Sequence, residues 1–284
     1  MPDSSFHRNA FIENPEDVPV RDAATVLIVR DAPELEVLMV RRAGRLAFAA
    51  NAWVFPGGRV DQSDAEHAAR VGINLDDRVA SSMLEVDGGG LAWWFAAVRE
   101  TVEEVGLLLG ARPVEPDLVD ALRRGLESGG AERFSGILLA HDHRIDLSTV
   151  HEIARFVTPV GPARRFDTRF FLAAAPAGQH PRHDESEIVA TQWMRPADPM
   201  AAWRRGDFEL MAVTHRMLAC LDRFSTATDA LSCAASRPPP ARLRVSDPDG
   251  QYQVFLPGEA GYEAAELEIE HGSIRLWRPD QPVR

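Results

Sequence analysis

Apolar and polar positions along the chain fall into two periods, and the changes of period outline the elements. Ala23-Ala-Thr-Val-Leu-Ile-Val-Arg30 is short, apolar and rich in β-branched residues, the pattern of a buried strand. Asp31-Ala-Pro-Glu34 reads as a turn and Leu35-Glu-Val-Leu-Met-Val-Arg-Arg42 as a second strand, so the two together predict a hairpin. Trp53-Val-Phe55 is a short apolar piece that runs into Pro56-Gly57-Gly58. Residues 61–90 are polar and end in Asp87-Gly-Gly-Gly90, which predicts a loop or an inserted segment. From Leu91 the period becomes helical: Leu91, Phe95, Val98, Val102 and Val105 share one face, and Gly106 stops the helix.

Leu107-Leu-Leu109 reads as the start of another strand, and residues 114–156 as mostly helical. Ala154 to Thr158 and Arg169 to Ala174 read as strands around a loop from Pro159 to Asp167, and Glu187 to Met194 as a further strand. Helices are expected over 197–205 and 212–224. Pro238-Pro-Pro240 marks a boundary, beyond which residues 241–278 alternate like short antiparallel strands. This mixture predicts α/β or α+β organisation: an N-terminal arm over 1–22, whose residues 1–21 read as an arm or an edge strand, a main domain over 23–225, and a β-rich extension over 238–284.

Composition narrows the function classes. With 284 residues, 45% hydrophobic and 26% charged, the chain is globular rather than disordered. Its net charge of −12 argues against non-specific nucleic-acid binding, which needs many phosphate-neutralising cations. Every one of the 31 basic side chains is Arg. Cys220 and Cys233 make neither a disulfide scaffold nor a zinc ribbon and read as reduced thiols. The first residues lack the build of a signal peptide, the last carry no lipidation signal, and no apolar run spans a bilayer. A soluble cytoplasmic protein without a membrane partner is expected. His141 and His143 have no third ligand at metal spacing and read as surface loop, while Trp93, Trp94, Phe95, Phe170 and Phe171 read as core.

The segment that carries chemistry is Arg99-Glu-Thr-Val-Glu-Glu-Val-Gly106. Glu100, Glu103 and Glu104 sit at i, i+3 and i+4, on one face of the helix opposite its apolar stripe. Like charges at that spacing each cost a helix roughly 0.2–0.5 kcal/mol, and a hard divalent cation shared with substrate phosphates offsets that cost. A solvated acidic face has the same pattern. The upstream Gly57-Gly58 turn, which permits close backbone approach, favours the site.

Phe55-Pro-Gly-Gly58 followed by Arg99 to Leu107 resembles the Nudix box, G-x5-E-x7-R-E-U-x-E-E-x-G-U. The second half matches at every charged and glycine position. The first acid falls on Asp64 instead of Glu, the Arg that the pattern places at 72 stands at 99, and Thr101 replaces an aliphatic residue. Extra residues between the halves loop out before the helix. A box split in this way, with Thr158-Pro…Arg-Arg-Phe-Asp-Thr-Arg-Phe-Phe171 and Asp184-Glu-Ser-Glu187 downstream, is similar to the coenzyme A diphosphatase-like subfamily over about residues 23–225.

The resemblance implies an α/β class, a Nudix-like α/β/α sandwich with a mixed sheet, with helical insertions and the small β-rich extension. It implies hydrolysis of a diphosphate bond in coenzyme A or acyl-coenzyme A, assisted by Mg2+ or Mn2+, and a coenzyme A-like small molecule as partner. Carried over by position, Glu100 and Glu104 are metal ligands with Glu103 as a third, Arg99 orients the glutamates, and the backbone of Gly57 and Gly58 shapes the site. Glu187 is the candidate general base, with Asp184 and Glu185 behind it. Arg41, Arg42, Arg164, Arg165 and Arg169 are candidate phosphate handles, one of them braced by Asp167. Met211 to His215 stands where related sequences have a Pro-containing turn. ADP-ribose, NADH or a diphosphoinositol are alternative substrates, and a non-catalytic nucleotide-binding domain is the reading from another class; retention of all three glutamates speaks against the last. A homodimer is a further expectation of such folds.

Overall fold

In the computed structural model, which describes residues 14–45, 49–183, 186–246, 253–265 and 267–278, the first apolar run is strand β1 (Val20–Asp31) and forms an antiparallel hairpin with β2 (Leu35–Arg42). Two short strands follow, β3 (Trp53–Val54) and β4 (Gly57–Arg59). Then come α1 (Asp64–Val71), β5 (Gly72–Ile73), α2 (Asp77–Leu84), α3 (Leu91–Val105), α4 (Pro116–Ala140) and β6 (Ile145–Asp146). The second half contains β7 (His151–Val157), β8 (Arg165–Ala174), β9 (Ile188–Met194), α5 (Ala197–Arg205), α6 (Ala212–Leu221) and α7 (Ala227–Ala235). It closes with β10 (Ala241–Ser246), β11 (Gln253–Phe255) and β12 (Leu267–Ile274).

The main sheet runs β11-β10-β12-β7-β8-β1-β2-β3, with β4 beside β1 and β9 beside β2. It is mixed, because β1 and β8 pair in parallel from Val20–Arg165 to Val29–Ala174 while their neighbours are antiparallel. The two-residue period of β1 explains the layers. Ala24, Val26 and Ile28 face one core with α1, α3 and α4; Leu27 and Val29 face another with α6 and α7. The result is the α/β/α sandwich that the box resemblance implied. Trp93, Trp94, Phe95, Phe170 and Phe171 are all buried, and both cysteines are buried free thiols. Among the described residues, no helix is long and apolar enough to cross a membrane.

Several expectations need correction. β1 begins at Val20, inside the segment read as an arm. Residues 61–90 are an inserted segment rather than a loop: they fold into α1 and α2, whose Ala68, Val71, Ala80 and Leu84 pack in the core with α3 and whose polar Asp64, His67 and Ser81 are buried as well. Leu107-Leu-Leu109 forms no strand; it is fully buried irregular chain, whose apolarity serves packing. The helical reading of 114–156 holds only to Ala140, with a break at Gly130 (φ 57°), after which β6 and β7 take over. Strand β8 begins at Arg165, within the expected loop, and α7 was not expected at all. The extension is antiparallel as predicted, but it is continuous with the main sheet, β12 pairing with β7.

The inserted helices hold α3 in place. Asp77 of α2 accepts hydrogen bonds from the backbone N–H of Gly89 (2.9 Å) and Leu91 (3.0 Å), a cap supplied by the neighbouring helix. A side chain at Gly90 would place its Cβ 2.3 Å from the Ser81 nitrogen, in rigid backbone. Gly90→Ala should therefore cost about 1–3 kcal/mol through overpacking and lower the thermal midpoint by several degrees. A melt indistinguishable from wild type would show that α2 and α3 do not pack so closely.

Candidate active site

Helix α3 buries its apolar stripe and ends at Gly106 (φ 64°), which leaves its acidic face turned toward β4. The two elements meet where side chains are missing. Gly57 donates its backbone N–H to Glu104 Oε2 at 2.9 Å. A Cβ on Gly58 would lie 2.3 Å from the Glu100 carboxyl carbon. Only glycine lets this carboxylate lie against the strand.

Arg99 organises the surroundings. It is 6% exposed and donates to Asp64 (3.1 and 3.3 Å), to Glu100 Oε1 (2.7 Å) and to the Arg59 carbonyl (2.9 Å). Asp61 at 3.5 Å and Glu103 at 3.8 Å complete its acidic shell. Asp64, the substituted first acid of the split box, is fully buried and takes up this partner despite the insertion. Thr101 also fits the helix, since its buried hydroxyl donates to the Ala97 carbonyl at 2.7 Å.

The electrostatics leave a surplus of negative charge. Burial, reinforced by Glu103 and opposed by Arg99, raises the Glu100 pKa to about 7. Burial and then Glu100 push Glu104 well above the usual carboxylate range, against the Gly57 hydrogen bond and Arg42. For Arg99, burial works against the charge, yet Glu100 and Asp64 raise its pKa overall. Two adjacent carboxylates, Glu104 buried and Glu100 partly so, offer hard oxygen donors that suit a divalent cation of the Mg2+ class. Among the described residues, no three Asp, Glu, His or Cys side chains already enclose one point, because Glu103 is half-exposed and leans toward Arg99.

A cavity of about 610 Å3 opens over these groups. It brings together Arg42, Gly57, Gly58, Arg99, Glu100, Glu103, Glu104, Arg164 and Glu187. Met211 to Thr214, at the start of α6, line it as well. Glu187 is exposed at the cavity edge; Asp184 and Glu185 lie outside the described residues. The structure does not bring in the other arginines. Arg41 is exposed on β2 outside the cavity. Arg165 donates to the Thr158 carbonyl at 3.1 Å, and the buried Arg169 donates to the Leu84 carbonyl at 2.8 Å. The main partner of Asp167 is Arg155, which nothing in the sequence singled out. Also unforeseen are Phe156, Phe166, Val245 and Val254 in the cavity wall; Val245 and Val254 lie far from the box in sequence, and only strand pairing reveals them. A second cavity, of about 450 Å3 near Glu34, Trp193 and Arg195, holds none of the expected site residues.

Comparison with known proteins agrees with this fold. Residues 20–213 match the family model described as the NUDT19 Nudix domain. The chain is 28% identical over 266 residues to the Gallus gallus protein named acyl-coenzyme A diphosphatase NUDT19, covering 74% of this chain and 70% of that one. It is 26% identical over 216 residues to the Xenopus laevis protein of the same name, covering 60% of this chain and 55% of the relative. The crystal structure of a NUDIX hydrolase from Alicyclobacillus acidocaldarius superposes with a TM-score of 0.63 at 33% identity, covering 76% of this chain and 97% of that one.

The two glycines should respond differently to substitution. A Cβ on Gly57 meets the Ala24 carbonyl oxygen at 2.3 Å, which is backbone, whereas a Cβ on Gly58 meets only the end of the Glu100 side chain. Gly57→Ala is expected to lose about 1–3 kcal/mol of stability, and Gly58→Ala distinctly less. Thermal melts of the two variants side by side check this, and a larger loss for Gly58→Ala would contradict it.

Proposed function

The chain belongs to the Nudix hydrolase family, and on that premise we propose that it hydrolyses the diphosphate bond of coenzyme A or acyl-coenzyme A with the help of Mg2+ or Mn2+. The observation that carries the reading is the pair of carboxylates, the buried Glu104 and the partly buried Glu100, pressed against Gly57 and Gly58 at one end of the cavity. The names of the chicken and frog relatives support the substrate class.

Glu100 and Glu104 would hold the cation, with Glu103 turning in from its half-exposed position as a third ligand. When bound, the ion neutralises phosphate charge and makes the phosphorus more electrophilic. The chain supplies the rest. Arg99 keeps the Glu100 carboxylate in place, and the Gly57 N–H does the same for Glu104. Arg42 and Arg164, both in the cavity wall, bring planar guanidinium donors to the diphosphate oxygens. Glu187, at the cavity edge, takes the proton from the attacking water at its carboxylate. Water oxygen bonds to one phosphorus, the bridging P–O bond breaks, and the products are 3′,5′-ADP and free or acylated 4′-phosphopantetheine.

A panel of coenzyme A, acetyl-coenzyme A, NADH, ADP-ribose and diadenosine polyphosphates, with products separated by mass, tests the substrate. Preferential cleavage of the coenzyme A group is expected. Robust NADH or ADP-ribose cleavage without it would assign the same chemistry to another nucleotide. Glu104→Gln should lower kcat by roughly 100-fold or more, since losing a ligand removes several kcal/mol of charge stabilisation in the transition state. Its melting temperature should stay near or above wild type, because the amide carries no buried charge. Retained activity would refute the ligand role. Gly58→Ala should also lose activity while its melt changes little.

A further inference from the structure

We propose that the extension after the Pro238-Pro-Pro240 boundary builds an acyl-chain subsite inside the catalytic cavity, with Val245 and Val254 facing Phe156 and Phe170. The proposal rests on the coenzyme A reading and says where the thioester-linked hydrocarbon goes.

Strand register places the wall beside the carboxylates. Gly57 pairs with Thr25 of β1, and Thr25 pairs with Phe170 of β8. Ala23 pairs with Thr168, and Thr168 with Phe156 of β7. Alternation keeps Phe166, Thr168 and Phe170 on one face, so this face leads from the glycine turn to Phe156. Neighbouring strands lie about 4.8 Å apart, and three steps from β4 to β7 span roughly 14 Å. β12 then joins β7 to β10, and β10 to β11, bringing Val245 and Val254 to the same cavity.

The chemistry changes along that path. At the β4 end stand Arg59, Arg99 and the glutamates. At the far end are Val245 and Val254, 3% and 8% exposed, and Phe156 and Phe170, packed edge to face with centroids 5.4 Å apart. Thr168 lies beside the rings on this face, but the two valines and the two rings already packed on each other give a nucleobase little to hydrogen-bond and little face to stack on. An alkyl chain gains from such a surface, roughly fourfold in binding for each methylene buried.

The test is kcat/KM for free coenzyme A and its butyryl, octanoyl and lauroyl thioesters, measured with Mn2+ on the full chain. The wild type should show a tenfold or greater rise from free coenzyme A to octanoyl, then a plateau. In the double variant Val245→Thr/Val254→Thr, which keeps side-chain shape, the octanoyl-to-free ratio should fall at least threefold. Val245→Phe should shorten the chain length at which the plateau begins. A wild type indifferent to chain length, yet cleaving free coenzyme A, would overturn the subsite and leave the coenzyme A reading intact; this arm needs no variant. Variants that melt like wild type but lose all four substrates equally would mean that the wall serves the shared nucleotide, which also overturns it. Failure to cleave free coenzyme A and thioesters alike would remove both readings together.

Discussion

A buried guanidinium outnumbered by acids sets the terms for the whole site. Arg99 joins β4, the first inserted helix and α3 through the Arg59 carbonyl, Asp64 and Glu100. Removing one partner of a buried ion pair costs about 3–5 kcal/mol, so these three elements are held in register by one side chain. The same arginine cannot neutralise every acid around it. Burial, and after it repulsion among the acids, raises Glu100 and Glu104, and a cation would relieve both costs. Precise placement and unspent negative charge come from one arrangement.

Local pattern made part of this legible. The β-branched run of β1 and the helical stripe of α3 declare themselves because each meets its core along an unbroken periodic face. The acids at 100, 103 and 104 are legible because one helix carries them all. Residues 61–90 were legible as an insertion but not as helices, because α1 and α2 have only eight residues each and bury the polar Asp64, His67 and Ser81 beside their apolar positions, which blurs the stripe. Leu107-Leu-Leu109 misled in the opposite sense: full burial gives a continuous apolar run whatever the backbone does. Among the arginines, sequence could not separate a cavity residue such as Arg164 from Arg169, whose work is to satisfy a helix-end carbonyl. That distinction depends on contacts between segments far apart in the chain.

The same distance explains how the two halves of the split box meet. Asp64 and Arg99 are brought together by packing of α1 and α3, not by their spacing. The inserted residues add their own support, since Asp77 caps the start of α3. Helix α3, the insertion and the extension thus surround one cavity, although the recognisable motif occupies only its middle.

The extension is fastened by a shared acid. Glu152 of β7 is 5% exposed, and its Oε2 accepts from Arg237 and from Arg275, each at 3.0 Å. Peeling β12 away would take Arg275 from that buried carboxylate and leave it Arg237 alone, a far dearer event than wetting a few aliphatic side chains. The cavity's distant side is accordingly a fixed jaw rather than a flap. Whatever occupies it must enter lengthwise from the mouth, and its reach is gauged by a rigid stop.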